Sequence, residues 1–531
     1  MPRPDPIRLQ VFDQLLAAIC EESGALLQRS AVSPNIRERR DYSVALFDRE
    51  VRLLAQAAHI PVHLGSAGDA VRAARSHCRL GPGDVVILND PFAGGTHLPD
   101  VTLVRPVFLP GRAAPDFYLA NRAHHADIGG GVPGSMGIAQ DLLGEGLVIP
   151  PTHLRRRGVV DTGVLGLFLR NVRGAAERKI DLAAQEAALV LAERRLGELV
   201  ASRGRAQVLR ESQQLLAYAE RIVASVLAGL PRGEFHAVDA LEDDGLGSGP
   251  LPIRLRLRLD GKRARFDFRA TVGAARGAVN ANRSIVLAAC VYALRCLCPA
   301  DMPTNAGLFA RLDVLTTPGS LVDPPDGAPV AAGNVETSQR LVDVCFEALG
   351  RALPGRMPAC SAGTMSNLSL GGGTGARAFA FYETIPGGAG ASAHCDGTSA
   401  VQTHMTNTRN TPVEQMEHSW PVRVLAWTLR RGSGGAGRHA GGDGVRKVIE
   451  CLTPTTCSLL ADRHLQGPPG AARGEPGLPG SAFLVRRGRR QRVAAKGSWS
   501  LATGDVVWIE TPGGGGHGAP RRRLKPNSPG H

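Results

Sequence analysis

Side chains of the kinds that bind metal ions occur in two groups along the sequence. The first group contains His97 and Asp100, and the second contains His124, His125 and Asp127. Between them, an apolar run at 101–109, a turn-forming segment at 110–116 and a returning run at 117–121 predict a β-hairpin. Pairing about the middle of that turn places Asp100 beside the second group. Two histidines and an aspartate at one sheet edge could bind a divalent cation that keeps open coordination positions.

The residue types in these groups define the class of cation that such a site would hold. Histidine and aspartate suit zinc, manganese, iron or magnesium. Neither group contains cysteine, which argues against a structural thiolate site, and the spacing matches no closed zinc motif. Adjacent side chains on a strand point to opposite faces, so we expect one of His124 and His125 to face the cation. The sequence does not decide which.

Several helices and strands are predicted around this hairpin. Residues 7–29 have helical spacing, with an apolar stripe formed by Ile7, Val11, Leu15, Ile19 and Leu26. The longest helical pattern covers 177–230 and predicts a helical hairpin joined near 202–205. Asp260–Gly261, between two alternating segments, predicts a β-hairpin. Further elements are predicted at 44–54 (two strands), 67–78 (helix), 84–89 (strand), 280–297 (helix) and 335–349 (helix).

The chain has 531 residues and 65 glycines, which predicts an α+β, multi-lobed and β-rich fold with a long helical hairpin and Gly-rich loops. We expect five segments along the chain. They are an N-terminal α/β lobe with the metal-type hairpin at 1–175, the helical hairpin at 176–235, an α+β middle lobe at 236–360, a Gly-rich, β-rich C-terminal lobe at 361–515, and a disordered tail at 516–531.

Composition disfavours several classes of partner. The net charge of +14 suggests nucleic-acid binding, but part of the excess is local, at 486–492 and 521–525, and aromatic residues make up only 4%. We therefore expect no nucleic-acid partner, while an acidic partner subunit stays compatible with the charge. No apolar run is long enough to cross a bilayer, and the first residues do not form a secretory signal. The ten scattered cysteines form no CxxC pair, which is typical of a cytoplasmic protein.

Four polar or glycine-rich segments carry weaker signals. GSGGAG at 432–437 matches a dinucleotide-binding pattern, but more glycines follow where that site requires a helix, so an active-site or subunit-contact loop is favoured. No GxxxxGK[ST] motif is present, so this chain has no Walker-type ATP site. The glycine run at 511–520 is interpreted as a flexible terminus, and residues 467–480 as an exposed loop. The polar segment 394–417 favours a site or an interface.

Long blocks of the sequence resemble the hydantoinase B family over nearly the full chain. This family includes B-type subunits of ATP-dependent N-methylhydantoinases, the matching half of 5-oxoprolinases, and a large subunit of acetone and acetophenone carboxylases. The blocks are SPNIRERRDYS at 33–43, LAQAAHIPVHLGS at 54–66, NDPFAGGTHLPDVTLV at 89–104, NRAHHADIGGGVPGSM at 121–136, EGLVIPP at 145–151, APVAAGNVETSQRLVDV at 328–344, YETIPGGAGA at 382–391, HMTNTRNTPVEQME at 404–417 and GSGGAGRHAGGDG at 432–444.

The resemblance implies a B-type subunit that acts with an A-type partner from the actin-like ATPase group. ATP, bound by that partner, would activate a carbonyl or lactam oxygen of a small cyclic amide, and water would open the ring. In the carboxylases of the family, a related phosphorylation prepares the substrate for carboxylation. Relatives carry a divalent metal on the B-type subunit, and the matching motifs here supply His97, Asp100 and one of His124 and His125.

On this resemblance, we expect a metal-assisted, ATP-dependent hydrolase of hydantoin- or 5-oxoproline-like rings that works as a hetero-oligomer. Asp127 is a candidate for orienting a ligand, and Glu145 is a candidate further ligand or base. Two rival functions stay open. One is a subunit of a ketone carboxylase, and the other is a non-catalytic subunit that stabilises the A-type partner.

Overall fold

The computed structural model describes residues 6–57, 60–63, 65–373 and 378–520. Within these ranges the chain forms helices packed on four separate open sheets, which confirms the predicted α+β class and the multi-lobed, β-rich character. The helices are α1 Pro6–Ser30, α2 Pro34–Arg37, α3 Ser66–His77, α4 Leu142–Glu145, α5 Thr162–Asn171, α6 Ala175–Arg203, α7 Arg205–Ala228, α8 Arg283–Arg295, α9 Ser338–Ala352 and α10 Val413–Ser419.

The strands follow the patterns that the sequence shows, including both predicted hairpins. Gly261 adopts a φ of 82° in the Asp-Gly turn between two strands of the middle lobe. The strands are β1 Tyr42–Asp48, β2 Leu53–Ala57, β3 Val85–Leu88, β4 Asp100–Val107, β5 Phe117–His124, β6 Thr152–Arg156, β7 Val159–Val160, β8 Gly233–Leu241, β9 Leu251–Leu259, β10 Ala264–Asp267, β11 Leu312–Leu315, β12 Asn367–Gly372, β13 Phe379–Thr384, β14 Val422–Leu429, β15 Val445–Cys451, β16 Thr455–Leu460, β17 Ser481–Arg486, β18 Arg489–Val493, β19 Lys496–Leu501 and β20 Val506–Glu510.

The first sheet is antiparallel, with seven strands in the order β2-β1-β5-β4-β3-β6-β7. Both of its faces are buried, because alternate residues of one strand enter different cores. Val44 and Leu46 pack with α1 and α6, whereas Ala45 and Phe47 pack with α3 on the other side. This sheet therefore lies between two helical layers, and its central strands β4 and β5 are shielded from solvent.

Helix α1 forms as predicted, but the predicted apolar stripe is not its buried face. Ile7 and Val11 are 74% and 47% exposed, whereas Phe12 and Leu16 are fully buried against the first sheet. The two long helices α6 and α7 are also confirmed, and they meet at Gly204, which has a φ of 82°. Helix α6 packs chiefly on α1, while α7 continues toward the middle lobe.

The middle lobe has a four-stranded sheet, β11-β10-β9-β8, whose inner face packs on α8 and α9. A π-helical turn, Gly333–Thr337, leads directly into α9. The C-terminal lobe is a sandwich of two sheets, β13-β12-β16-β19 and β14-β15-β20-β17-β18, which share one apolar core. No helix among the described residues is long and apolar enough to cross a membrane. All ten cysteines lie in the described ranges and are free.

Glycine-rich segments pack backbone against backbone at one end of this sandwich, forming what we call the glycine bundle (386–397, 432–444, 467–480 and 511–518). Gly514 lies at its centre, where its N–H donates to the carbonyl of Gly442 and its carbonyl accepts from Gly435, both at 2.8 Å. A Cβ on Gly514 would lie 2.0 Å from the Ala389 oxygen, so a side chain is excluded there.

The glycine bundle corrects one prediction from the sequence. Residues 511–517 are buried rather than a flexible terminus. The segment 467–480 is an irregular loop with several exposed residues, as predicted, although its Gly477 is buried against the bundle. The physical reason is that close backbone packing, stabilised by hydrogen bonds, needs no apolar side chains. GSGGAG at 432–437 also belongs to the bundle and no helix follows it, as its sequence predicts. Of the tail predicted to be disordered at 516–531, residues 516 and 517 are buried in the bundle, and 521–531 lie outside the described residues.

Candidate functional site

The predicted hairpin forms with the expected register. Strands β4 and β5 pair from Val107↔Phe117 back to Asp100↔His124, so the first residue of β4 lies directly across from the last residue of β5. His97 belongs to the tight turn that precedes β4, in which the Asp100 N–H donates to the His97 carbonyl at 3.1 Å. His97, Asp100 and His124 are at most 3% exposed. The structure therefore brings these three side chains together in the interior.

Several polar atoms of this group point at one another without forming hydrogen bonds. His97 Nε2 lies 3.4 Å from Asp100 Oδ1, in poor hydrogen-bond geometry, and the His97 and His124 ring centroids are 5.1 Å apart. Among the described residues, His97 Nδ1 and Nε2, Asp100 Oδ1 and His124 Nε2 have no hydrogen-bond partner. Buried polar atoms without partners are costly, so these atoms call for an ion or water between them.

The types of donor atom suit a divalent cation, but the side chains do not surround one position as a complete set of ligands. Within the described ranges, no group of three or more His, Cys, Asp or Glu side chains could hold a metal ion as it stands. Two imidazoles and a carboxylate with unpaired atoms are nevertheless suitable ligands for zinc, manganese or iron. The metal role of His97, Asp100 and His124 therefore stays a prediction.

A further imidazole, which the sequence analysis did not select, completes the group. His63 is buried in the 3₁₀ turn Pro61–His63, and its Nε2 lies 3.3 Å from Asp100 Oδ2. Its Nδ1 is 2.9 Å from the Ser43 hydroxyl on β1, and the Thr96 hydroxyl donates to the same Asp100 oxygen at 2.5 Å. Asp100 is thus held through Oδ2, while Oδ1 stays available.

The electrostatics of the group favour metal-binding protonation states. Burial opposes ionisation of Asp100, but His97 and His63 together hold the pKa of this carboxyl well below its usual range. Burial, with a further contribution from His97, holds the pKa of His124 well below its usual range. A carboxylate and a neutral imidazole are the forms that ligate metals. Burial also raises the pKa of the neighbouring Asp41.

His124 is fixed from its far side by side chains of two other segments. Its ring stacks on Tyr382 of β13, with 4.5 Å between the ring centroids and an interplanar angle of 7°. The Arg39 guanidinium lies 4.8 Å from the Tyr382 centroid and donates to the Tyr382 carbonyl. The Asn35 amide lies 3.2 Å from His124 Nδ1. The Asn35 amide nitrogen can donate to this Nδ1, while the Asn35 amide oxygen accepts from the Arg39 guanidinium at 3.4 Å.

A small enclosed cavity of about 20 Å³ adjoins the cluster. A space of roughly 10–15 Å³ is enough for one water molecule. Met405 and Thr406 of the polar segment 394–417 form part of its wall, as expected for a segment near a site. The cavity is lined by Asp41, Ile60, Val62, His63, Asp100, His124, Asn334, Val335, Met365, Tyr382, Thr384, Met405 and Thr406.

A chain of hydrogen bonds leads from this cavity into the middle lobe. The Tyr382 hydroxyl donates to Asn367 Oδ1 at 2.7 Å, and the Asn367 amide donates to Glu336 Oε1 at 3.0 Å. Glu336 lies in the π-helical turn, a distortion that is frequent at functional sites. Burial raises the pKa of Glu336 to about 8.

His125 lies on the opposite side of the hairpin from His124. Its Nε2 is 3.0 Å from Gln185 Oε1 on α6, and its ring meets Phe168 of α5 edge to face at a centroid distance of 5.9 Å. Burial lowers the pKa of His125 to about 4. Of the adjacent pair that the sequence left open, His124 is therefore the one that faces His97 and Asp100.

The two other selected residues occupy nearby loops rather than the cluster. Asp127 accepts hydrogen bonds from the N–H groups of Gly129, Gly134 and Arg173, and its Oδ2 lies 3.0 Å from the Arg173 guanidinium. Glu145 Oε1 accepts from the N–H groups of Val330 and Ala331, both at 2.8 Å. These contacts organise the glycine-rich loop after β5 and the entry to the π-helical turn.

His63 and Tyr382 were missed because their roles depend on contacts between distant segments. Both lie in blocks that carried the family resemblance, 54–66 and 382–391, but neither block supplied a candidate ligand to the sequence prediction. A histidine in a resembling block was the signal that could have identified His63. Tyr382 carries no comparable signal, since an aromatic residue on a buried strand is usually a core residue.

Comparison with known proteins identifies relatives that match nearly the whole of this chain. It is 36% identical to 5-oxoprolinase 1 of Arabidopsis thaliana over 97% of this chain but only 42% of that protein. The chain thus spans about two fifths of the length of that relative. It is also 28% identical to a protein named as the B-type component of a D-/L-hydantoinase from a Pseudomonas species, over 98% of this chain and 91% of that protein.

Solved structures share the same fold. The ATP-dependent caprolactamase from Pseudomonas jessenii superposes with a TM-score of 0.91 and 28% identity, covering 98% of this chain and 92% of that chain. A nucleotide-free acetone carboxylase superposes with a TM-score of 0.90 over 98% of this chain and 76% of that chain, but at 18% identity it shows the fold alone. The Hydantoinase B/oxoprolinase family matches residues 5–520. The chain belongs to this family.

Proposed function

We propose that this chain is the B-type subunit of an ATP-dependent hydrolase that opens small cyclic amides such as hydantoin or 5-oxoproline. Relatives that bear the names 5-oxoprolinase and D-/L-hydantoinase support this class of reaction. The absence of a Walker motif from the sequence agrees with ATP being bound by an A-type partner of the actin-like ATPase group. In this proposal the two subunits form a hetero-oligomer.

The observation that carries the proposal is the set of unpaired, buried donor atoms at the end of the hairpin. His97 Nε2, Asp100 Oδ1 and His124 Nε2 belong to side chains that the Asp100↔His124 register brings together. These three residues would hold a divalent cation. When bound, such a cation would polarise a carbonyl oxygen or lower the pKa of a water molecule.

The chain's own residues prepare the site for this chemistry. Asp100 stays ionised beside His97 and His63, so it offers a negative charge in an interior that excludes bulk water. His63 and Thr96 occupy Oδ2 and orient the carboxylate. Tyr382 limits the rotation of His124. Together they hold the donor groups in position before the substrate arrives.

The size of the cavity has a consequence for how the substrate reaches these groups. A volume of about 20 Å³ holds one water molecule but no five-membered ring. A substrate ring must therefore displace part of the wall, such as the segment with Met405 and Thr406, before its carbonyl approaches the cluster. In the proposed enzyme, binding of the partner or of the substrate opens this wall.

The proposal is tested with the purified complex of this chain and its A-type partner. We expect ATP-dependent ring opening of hydantoin or 5-oxoproline, measured by chromatography of the ring-opened product. The variants H97A and D100A should lose this turnover. His418→Gln is the matched control, because His418 is exposed on α10. No ring opening of any cyclic amide with ATP present would overturn the proposal.

The same assay separates the two rival functions. A ketone carboxylase subunit would consume ATP only with bicarbonate and a ketone, and would leave cyclic amides intact. A non-catalytic subunit predicts that H97A and D100A assemble with the partner and turn over at the unmodified rate. Either result would replace the proposed role with the corresponding rival.

A further inference from the structure

A second cavity lies at the opposite end of strand β3 from the candidate site. Strand β3 ends at Leu88, which pairs with Thr102 near the cluster, and begins at Val85, which pairs with Arg155 at the far edge. Beside this far end, the loop 78–84 and the β6–β7 turn line an open cavity of about 790 Å³. Ligand pockets usually measure about 300–1,000 Å³. The cavity is therefore large enough for a small-molecule ligand.

Several arginine and histidine side chains line the walls of this cavity. Arg79, Arg156 and Arg157 line it together with His77 and His153. We call it the arginine cavity. Among its described lining residues, Asp84 is the one carboxylate. Three guanidinium groups that share one concave space raise its positive potential, because low-dielectric walls focus the field there.

Asp84 makes no direct contact with these arginine side chains, because its oxygens contact backbone groups and a histidine. Its Oδ2 accepts from the Gly81 N–H and its Oδ1 accepts from the Arg157 backbone N–H, both at 2.7 Å. His153 Nε2 lies 3.5 Å from Oδ2. The carboxylate therefore fixes the two loops that carry the arginines and forms no ion pair with their guanidinium groups.

The neighbouring Arg155 on the same sheet differs from these arginines, because its guanidinium group is paired with a carboxylate. Arg155 forms two hydrogen bonds with Glu186 of α6, at 3.1 and 3.0 Å. In contrast, the side chains of Arg79, Arg156 and Arg157 form no ion pair or hydrogen bond with another described residue. Three exposed guanidinium groups without such a partner among the described residues thus line the cavity, whereas Arg155 does not.

The backbone that presents these arginines is held in a defined conformation. Arg157 adopts a φ of 49°, which is unfavourable for a residue with a side chain. The Arg157 N–H is fixed by Asp84, and the turn packs tightly on Gly83, where an added Cβ would lie 3.0 Å from the Gly158 nitrogen. Such preorganisation lowers the entropic cost of binding a ligand.

Apolar residues form another part of the wall. Half-buried Phe108 lies at the end of the β4–β5 hairpin, and Leu80, Pro82 and Pro151 also line the cavity. An aromatic ring and proline rings offer a flat surface on which a planar group can stack. The cavity thus combines a site for several negative charges with a site for a ring.

We propose that the arginine cavity binds a small ligand with two or more linked phosphate groups. The guanidinium groups of Arg79, Arg156 and Arg157 hold the phosphate oxygens by charge-assisted hydrogen bonds. Phe108 provides a stacking surface when the ligand carries a base. The ligand class therefore includes inorganic pyrophosphate and nucleoside diphosphates, and this assignment is independent of the proposed hydrolase reaction.

Calorimetric titration of the full chain with sodium pyrophosphate and, separately, with ADP tests this proposal, in low-salt buffer without divalent metal. We expect saturable binding with one ligand per chain. The double variant R156Q/R157Q and the single variant R79Q should each weaken binding by at least about tenfold, because each loses charged hydrogen bonds. Tighter binding of ADP than of pyrophosphate, reversed in F108A, identifies a nucleotide ligand, whereas equal affinity identifies the phosphate chain alone.

The double variant R170Q/R210Q is the matched control. Both residues are exposed and lie outside the cavity, so this variant removes the same charge and should bind as the unmodified chain does. Unfolding temperatures of all variants verify that they are folded. The proposal is overturned by the absence of saturable binding, or by equal weakening in the control. It is also overturned if the arginine variants impair only assembly with the partner subunit, since the cavity would then receive an acidic protein segment.

Discussion

The His124 and Tyr382 rings stack face to face across two lobes, at a centroid distance of 4.5 Å. His124 ends strand β5 of the first sheet, whereas Tyr382 belongs to β13 of the C-terminal sandwich. The contact therefore joins the predicted ligand group to a lobe that supplies none of the selected ligands. We infer that the orientation of His124 depends on how the two lobes pack.

The first prediction concerns this stack. Tyr382→Phe keeps the ring and loses only the hydroxyl bond to Asn367, so metal affinity should stay within a few-fold of the unmodified chain. Tyr382→Leu removes the stack and should weaken metal binding by about 10–100-fold, the usual effect of losing a group that orients a ligand. Competition with a chromogenic chelator measures both affinities. Equal losses in the two variants would show that the hydroxyl, and not the ring, positions His124.

The second prediction separates the adjacent histidines. His124→Ala should purify without stoichiometric metal, because it removes a donor that faces His97 and Asp100. His125→Ala should retain the metal but lower the unfolding temperature, since it leaves a gap between β5 and α6 and deprives Gln185 of a partner. Elemental analysis and thermal unfolding of both variants test this. Metal loss in His125→Ala alone would reverse the assignment.

The third prediction concerns His63, which only the structure identifies. His63→Gln should weaken metal binding by about 10–100-fold, because Asp100 loses a group that orients its carboxylate. The unfolding temperature should change little if the glutamine amide bonds to Asp100 instead. His418→Gln provides the control on an exposed helix. An unchanged metal dissociation constant in His63→Gln would mean that His63 serves packing alone.

The fourth prediction concerns Glu145 and pH. Burial raises the pKa of Glu145 to about 8, so the folded chain holds a proton that the unfolded chain releases near its ordinary pKa of about 4.3. Stability from this group should therefore fall as the pH rises from about 5 to about 8.

Glu145→Gln tests that linkage, because glutamine cannot ionise and keeps an acceptor oxygen for Val330 and Ala331. Its unfolding temperature, relative to that of the unmodified chain, should rise with pH over this range. Glu414→Gln, on an exposed turn of α10, should show no such trend. A constant difference between the Glu145→Gln and unmodified curves would contradict the linkage.

The fifth prediction tests the glycine bundle. Gly514→Ala places a Cβ 2.0 Å from the Ala389 carbonyl oxygen, so the backbone must shift and the yield of folded protein should drop sharply. Gly197→Ala is the control, because a Cβ there meets nothing within 4 Å. Alanine inside helix α6 should be neutral or stabilise the chain by about 0.5–1 kcal/mol. Thermal unfolding of both variants, followed by circular dichroism, tests this prediction. An unchanged unfolding temperature in Gly514→Ala would exclude tight packing at that residue.

The sequence predicts local features of this protein better than contacts between segments. The Asp100↔His124 register follows from a short turn and two apolar runs, so pattern alone was sufficient. The apolar stripe of α1 was wrong at Ile7 and Val11 because helical spacing identifies a helix more reliably than it identifies which face is buried. Phe12 and Leu16 lie on the buried face instead.

Contacts between distant segments explain what could not be predicted at the site. His63 reaches Asp100 from a turn 37 residues away in the chain, and Tyr382 reaches His124 from another lobe. The choice between His124 and His125 likewise required α6, whose Gln185 accounts for His125. The buried glycines at 513–516 lack the apolar side chains on which core prediction depends.

The glycine bundle also orders events during synthesis of the chain. Gly513–Gly516 form backbone hydrogen bonds with Cys360, Gly442 and Glu475. These three partners are synthesised earlier, so they lack these native hydrogen bonds until the last of the four glycines leaves the ribosome. Contacts of such long sequence separation form slowly. The newly synthesised C-terminal sandwich therefore cannot complete its packing before Gly513–Gly516 are available, and its peptide groups stay exposed until then. Chaperone dependence and a slow refolding step should thus concentrate in that lobe rather than around the N-terminal hairpin.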